Sequence, residues 1–192
     1  MFAQQGFERT TVDDIAAAAG IGRRTFFRYF ASKNDLVWGD FQAHLAWLEQ
    51  LLAAAAPSLP MMDALRAAIV EFNRYDPADV PWHRQRMELI LNTPTLQADA
   101  TLRYAAWRRI VTAFAARRTG LPPSDMLPRL IGHAALGAAL SAYATWLAGP
   151  GFGSVRSAGH GGTPARSGLR HVGRPGRRRI ALSADPGGLR AL

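Results

Sequence analysis

Between positions 23 and 29 the chain reads RRTFFRY, and its polar members have the chemistry of gripping anions and base edges. Arginine presents a planar fork of donors to guanine edges or phosphates, while threonine and tyrosine hydroxyls hold phosphate oxygens. At about 100° per residue a helix here puts Arg24, Thr25, Arg28 and Tyr29 on one side, with Phe26, Phe27 and Phe30 on the other. The expectation is a cationic face opposite an aromatic core face. Arg23 lies nearer the core side but, in the first turn, still reaches outward. Lys33 follows close behind, at a position where its ammonium and a helix start would both point at a phosphate. Two adjacent arginines alone are more often a solvated face. The joint order of elements around them lifts this run above that reading.

Those elements can be built from local rules. Thr11 stands three residues before Asp14, the spacing of a capping box, so a helix should begin there and run through Ile15, Ala16 and Ala19. Gly20 ends it, since glycine takes the left-handed conformation cheaply just past a last helical residue. Ile21 then turns into the core, and Gly22 opens the helix that carries the arginines. Ser32 and Asp35 repeat the capping spacing, so Lys33 falls in the first turn of a third helix. Two short helices joined by a glycine-bracketed turn are how a protein presents one helix to the DNA major groove.

The run TVDDIAAAAGIGRRTFFRYF followed by ASKNDL resembles the TetR family of one-component transcriptional repressors, matching its pattern from Thr10 to Leu36. Within it, GRRTFFRYFASKNDLVWGDF is similar to the subfamily found beside mycofactocin biosynthesis genes. The similarity continues through FNRYDPADVPWHRQRMELIL and TLRYAAWRRIV, so that it covers roughly residues 1 to 150. The resemblance implies a ligand-responsive repressor that binds a palindromic operator on double-stranded DNA as a homodimer, through Thr11, Arg23, Arg24, Thr25, Arg28, Tyr29 and Lys33. As effector the resemblance suggests a long-chain acyl-CoA, with another small apolar molecule as the alternative; a cytoplasmic protein is expected. Arg24 stands where many members have glycine and Tyr29 where many have histidine. Both departures keep DNA binding and alter which operator is read.

The net charge of +9 is unevenly placed: residues 1–152 hold 15 basic and 13 acidic side chains, residues 153–192 hold 8 and 1. Most of the excess therefore sits in the last forty positions, and the support for DNA binding is local to the helix-turn-helix. Cysteine is absent, which removes disulfides and thiolate metal sites. No basic-then-apolar leader opens the chain. There is no G-x-S-x-G, no Walker loop, no dinucleotide fingerprint and no histidine pair at ligand spacing. The short GHGG run at 159–162 has no nucleophile elbow to serve. The reading is of a protein that is not an enzyme and needs no cofactor; a helical DNA-binding adaptor lacking any ligand is the first alternative and an enzyme a distant second.

Downstream, breaks near Pro57–Pro60, Asp76–Pro81, Asn92–Pro94 and Gly120–Pro123 separate helical patterns, and no alternating Val/Ile/Thr run suggests a sheet. The expected fold is all-α: a helix-turn-helix domain over 1–40, a helical effector-binding and dimerisation domain over 41–152, and a disordered basic tail over 153–192. Trp107, Ile110, Val111 and Phe114 follow helical spacing, which usually marks core. A candidate effector cavity is assigned to Trp82, Arg86, Tyr104, Trp107, Val111 and Phe114, with Arg84, Arg103, Arg108 and Arg109 also available to phosphates.

A helix over about 127–147 carries two stripes. Leu136, Leu140, Tyr143 and Leu147 should face their own core, while Ala134, Ala138, Ser141, Ala142 and Thr145 suit close approach of a second subunit, an ordinary internal helix being the equal alternative. Residues 130–155 carry no charge, but the Ala/Gly richness and interspersed polar groups argue against a membrane span. At the start, MFAQQG reads as only the last turn of a helix that family members begin earlier: either the first helix is truncated and its brace weakened, or the start of the chain is set too late in the gene. From Gly153 the composition turns to Gly, Arg, Ser, Ala and Pro, which cannot bury enough to order itself. A basic arm, an inert tail and a shifted reading frame all fit that composition; the last is favoured, and an uninterrupted gene reading through the tail would refute it.

Overall fold

A computed structural model of the chain describes residues 2–149. The tail assigned to 153–192 lies outside the described residues. All regular elements among those described are helical, as expected: α1 (Phe2–Gln5), α2 (Val12–Ala18), α3 (Arg23–Tyr29), α4 (Lys33–Trp38), α5 (Phe41–Ala53), α6 (Met61–Phe72), α7 (Val80–Asn92), α8 (Pro94–Thr119) and α9 (Met126–Ala148), with a 3-10 turn at Pro77–Asp79 before α7.

The boundaries follow from local chemistry. Thr11 caps α2 with the complete reciprocal box: its hydroxyl accepts from the Asp14 N–H at 3.1 Å and the Asp14 carboxylate accepts from the Thr11 N–H at 2.8 Å. At the other end of α2, Gly20 takes φ +64°, its N–H reaching the Ala17 carbonyl and the Ile21 N–H reaching the Ala16 carbonyl. Those two bonds are the Schellman pattern, and the positive φ explains why glycine stands there. Gly39, at φ +62°, separates α4 from α5. Asp76 caps the 3-10 turn by accepting from the Ala78 N–H, and Pro77, Pro81 and Pro94 each stand at a helix start, where their missing N–H costs nothing.

The described residues fall into two compact units. One contains the described part of Met1–Phe41 together with Asp76–Ala100; the other contains Gln42–Tyr75 and the described part of Thr101–Pro175. This division differs from a single cut after residue 40, because α7 and the start of α8 pack with the helix-turn-helix. The Thr95 hydroxyl donates to the Glu8 carboxylate at 2.7 Å, and Ile90, Leu96 and Ala100 are buried in this unit with Phe2, Phe7, Ile15, Phe26 and Trp38. Contacts across 80 or more positions of sequence leave no periodic trace in it.

In the second unit, α5 buries Leu45, Trp47, Leu48, Leu51 and Leu52, and α8 buries Trp107, Val111 and Phe114. Arg118 donates to the carbonyls of Pro57 and Ala56 at 2.7 and 2.8 Å, tying α8 to the α5–α6 connection. Gly132 of α9 lies so near α8 that a Cβ there would meet the Thr112 hydroxyl and stand 3.2 Å from the Arg108 carbonyl oxygen. The Tyr143 hydroxyl donates to Asn73 Oδ1 at 2.7 Å, fastening α9 to the end of α6. The two stripes of α9 separate as expected: Leu136 is buried and Leu140, Tyr143 and Leu147 are half-buried, while Ala134, Ala138, Ser141, Ala142 and Thr145 are exposed.

Candidate nucleic-acid interface

The face that presents α3 is built on α2. Ile15 and Ala16 of α2 are buried, as is Phe26 of α3 at 1% exposure, and Phe30 packs on Phe26 with ring centroids 5.3 Å apart. Phe27 departs from the expected aromatic core face: it is 44% exposed, standing edge-on to Phe26 at 5.4 Å. A single neighbouring helix covers too narrow an arc to bury three aromatics spread around more than a quarter of the helix, so α3 tucks in Phe26 and Phe30 and leaves Phe27 outside.

Among the residues read as DNA contacts, Arg23, Arg24, Arg28 and Tyr29 are exposed on α3, Thr25 is half-buried in its first turn, and Thr11 is exposed at the start of α2. Arg23 donates from Nη1 to both carboxylate oxygens of Asp13 at 2.8 Å, and its guanidinium lies 5.4 Å from the Phe27 ring centre. The Arg28 guanidinium stacks over the Tyr29 ring at 5.0 Å and donates to its hydroxyl at 3.2 Å. Arg24 has no ion pair or hydrogen bond with another described side chain. Cations in the first turn oppose the helix dipole, and Asp13 offsets only one of the two.

Lys33 differs from its expected orientation. Its ammonium is turned inward, donating to the carbonyls of Phe7 at 2.7 Å and Thr10 at 2.9 Å, with the Glu8 carbonyl at 3.4 Å and the Phe7 ring centre at 4.2 Å. Three residues that sequence reasoning passed over share this region. Thr10 is fully buried, its hydroxyl donating to the Gly6 carbonyl at 2.8 Å; Asp13 pairs with Arg23; and Glu8 holds Thr95. Only Asp13 carried a readable signal, an acid in a first turn. The Asp14 carboxyl is held below the usual carboxylate range by the Thr11 hydroxyl and then by the Thr11 N–H.

The candidate effector residues fall in both units. Trp82 and Arg86 belong to the first, where the guanidinium lies 5.1 Å from the indole and bonds His83 at 3.3 Å. Tyr104, Trp107, Val111 and Phe114 belong to the second, the last three buried along one stripe of α8. Burial pushes the Tyr104 phenol above its ordinary range. No group of three or more His, Cys, Asp or Glu among the described residues is arranged to hold a metal ion.

Comparison with known proteins agrees with this geometry. Residues 1–37 match the family described as bacterial regulatory proteins, tetR family, and residues 59–157 match the family described as MftR C-terminal domain. A mycofactocin biosynthesis transcriptional regulator of Mycobacterium tuberculosis is 50% identical over 147 residues, covering 77% of this chain and 74% of that protein. The helix-turn-helix regulator TcmR of Streptomyces glaucescens is 34% identical over 138 residues, 68% of this chain and 61% of its own length. A helix-turn-helix transcriptional repressor of Mycobacterium tuberculosis is 30% identical over 98 residues, 49% of each chain. These relatives are regulators and none is an enzyme. With a helix-turn-helix at its start, a helical domain behind it and both halves matched, the chain belongs to the TetR family of DNA-binding transcriptional regulators.

Proposed function

We propose that this regulator is a ligand-responsive repressor that holds a palindromic operator as a homodimer, with α3 in the major groove. The observation that carries the reading is the pair Arg24 and Arg28, exposed on a helix whose opposite face is locked by buried Phe26. Arg24, Thr25, Arg28 and Tyr29 supply the contacts to bases and phosphates; Thr11 and Arg23 sit at the helix starts beside them. Lys33 belongs to the same head and serves it from within.

The apolar seam of α9 supports the dimer. Met126 and Leu130 are exposed, and the small side chains Ala134, Ala138, Ser141 and Thr145 continue the same helix in the open. This helix is long and apolar enough to cross a membrane by length and composition alone. Its run of small residues, with Gly132 already packed on α8, suits a second α9 better than lipid. Two copies would present two recognition helices to half-sites about 34 Å apart. The cytoplasm is the compartment where such a protein meets its DNA.

Effector binding to the helical domain shifts a population of dimers with differently spaced recognition helices and so lowers operator affinity. A long-chain acyl-CoA is the proposed effector, on the strength of the subfamily resemblance, with Tyr104, Trp107, Val111 and Phe114 on the acyl side. The test is a gel shift on DNA upstream of the gene, with and without oleoyl-CoA. Retardation that the acyl-CoA reverses supports the reading. Retardation that no acyl-CoA alters leaves a DNA-binding adaptor, and absence of any sequence-specific shift refutes the repressor assignment.

A further inference from the structure

Lys33 is the single lysine in the 192 residues, against 22 arginines. It stands where only a compact ammonium works. The chain turns sharply after α1, with Gly6 at φ +81° and the Thr10 hydroxyl closing back on the Gly6 carbonyl. That turn aims the carbonyls of Phe7, Glu8 and Thr10 at one point, and the Lys33 Nζ occupies it, at 2.7, 3.4 and 2.9 Å, above the buried Phe7 ring. An ammonium has three donors that diverge from one atom, whereas a guanidinium spreads its donors in a rigid plane and cannot converge on such a cluster.

We infer that Lys33 is a positioning residue for DNA recognition, tying the backbone that leads into α2 to the first turn of α4. Thr10 immediately precedes Thr11, the residue that caps α2, and Asp13 in the next turn holds Arg23 of α3. The ammonium thus sets where α2 begins, and α2 sets how α3 is offered to the groove. Its donors are consumed inside the head and do not reach a phosphate. This inference rests on the DNA-binding reading of α3, and its test separates the two.

Because Lys33 is the sole side-chain amine, acylation of the intact protein by an amine-reactive ester reports on it alone once the N-terminal amine is resolved by mass spectrometry. Labelling in native buffer should run at least about tenfold slower than in urea, and operator DNA should change it by less than about twofold, as expected for a site closed by hydrogen bonds in the free protein. Rapid labelling of the free protein that DNA suppresses would overturn the inference. Two substitutions add the functional readout, each measured well below its melting transition. Lys33→Met and Lys33→Arg should each weaken operator binding about tenfold, the scale of losing hydrogen bonds to a charged group. The slope of log affinity against log salt should stay unchanged in both. Wild-type affinity in Lys33→Arg, or a slope shallower by about 0.9 in Lys33→Met, would mark a phosphate contact and overturn it. Unchanged affinity in both folded variants would leave Lys33 a stabiliser only, and overturn it as well. Should the unmodified protein bind no operator, the DNA reading fails, while the labelling contrast with urea still decides the tie.

Discussion

Arg23 and Asp13 are joined by one nitrogen shared between two carboxylate oxygens, both at 2.8 Å, linking the first turns of α2 and α3. Both side chains are largely exposed, at 60% and 63%, so the pair is well screened. Its removal should cost little stability, within about 0.5 kcal/mol. The effect on DNA should be larger. Asp13→Ala deletes a negative charge beside the recognition helix and frees Arg23 for a phosphate, so affinity for unrelated DNA should rise and the salt slope steepen by up to about one. Fluorescence anisotropy with scrambled duplexes over a salt series checks this. A weakened, shallower dependence would show that Arg23 needs Asp13 to hold its position.

Arg24 and Arg28 should be separable by what each substitution does to sequence preference. Arg24→Ala is expected to weaken operator binding by about 1–3 kcal/mol and to relax discrimination at one position of each half-site, as for loss of a bidentate base contact. Arg28→Ala also unseats Tyr29, whose ring it covers at 5.0 Å, and should reduce binding to all sequences more evenly. Affinity selection of randomised duplexes measures both. Identical profiles from the two variants would contradict the assigned roles.

Thr11→Ala removes the hydroxyl that caps α2 and should lower stability by about 1 kcal/mol. The Asp14 half of the box is pH-dependent. Its folded carboxyl is depressed below the ordinary value of 3.8, so its contribution is present at neutral pH and is lost as the pH falls through the folded value, below the usual carboxylate range. Thermal melts at stepped pH should therefore show wild type and Asp14→Ala converging in acid. A constant gap across that range would mean the carboxylate is not what caps the helix.

Ala138 lies exposed near the middle of α9 in the single chain. A glutamate there would place a charge and its twofold mate in the proposed seam. Ala138→Glu should convert dimer to monomer in multi-angle light scattering and abolish high-affinity operator binding, while far-ultraviolet circular dichroism stays helical. An unaltered dimer would move the interface elsewhere.

Gly132 tests the packing of the second unit. Gly132→Ala pushes a methyl group toward the Thr112 side chain and to 3.2 Å from the Arg108 carbonyl oxygen. The side chain can rotate away; the backbone oxygen cannot, so a loss of about 1–3 kcal/mol is expected in urea unfolding. Stability equal to wild type would show that α8 and α9 part readily.

The sequence by itself determined what is local. The reciprocal pair Thr11 and Asp14, the left-handed Gly20, the cap at Ser32 and the prolines in the first turns of α7 and α8 act through hydrogen bonds and backbone angles spanning a few residues, so their positions could be read without a fold. The cationic side of α3 and the two stripes of α9 were legible for the same reason, since helical periodicity is set by the chain alone. Tertiary structure decided the rest. Phe27 is exposed because α2 covers only one arc of α3, a fact about the partner helix. The segment 76–100 joins the DNA-binding head through contacts such as Thr95 with Glu8, 87 positions apart. Lys33 turned from a group expected to meet a phosphate into a half-buried one held by three carbonyls, because a loop some 25 positions earlier folds back onto it. An ammonium goes to the best cluster of acceptors within reach, and that cluster exists only once the chain has closed around it.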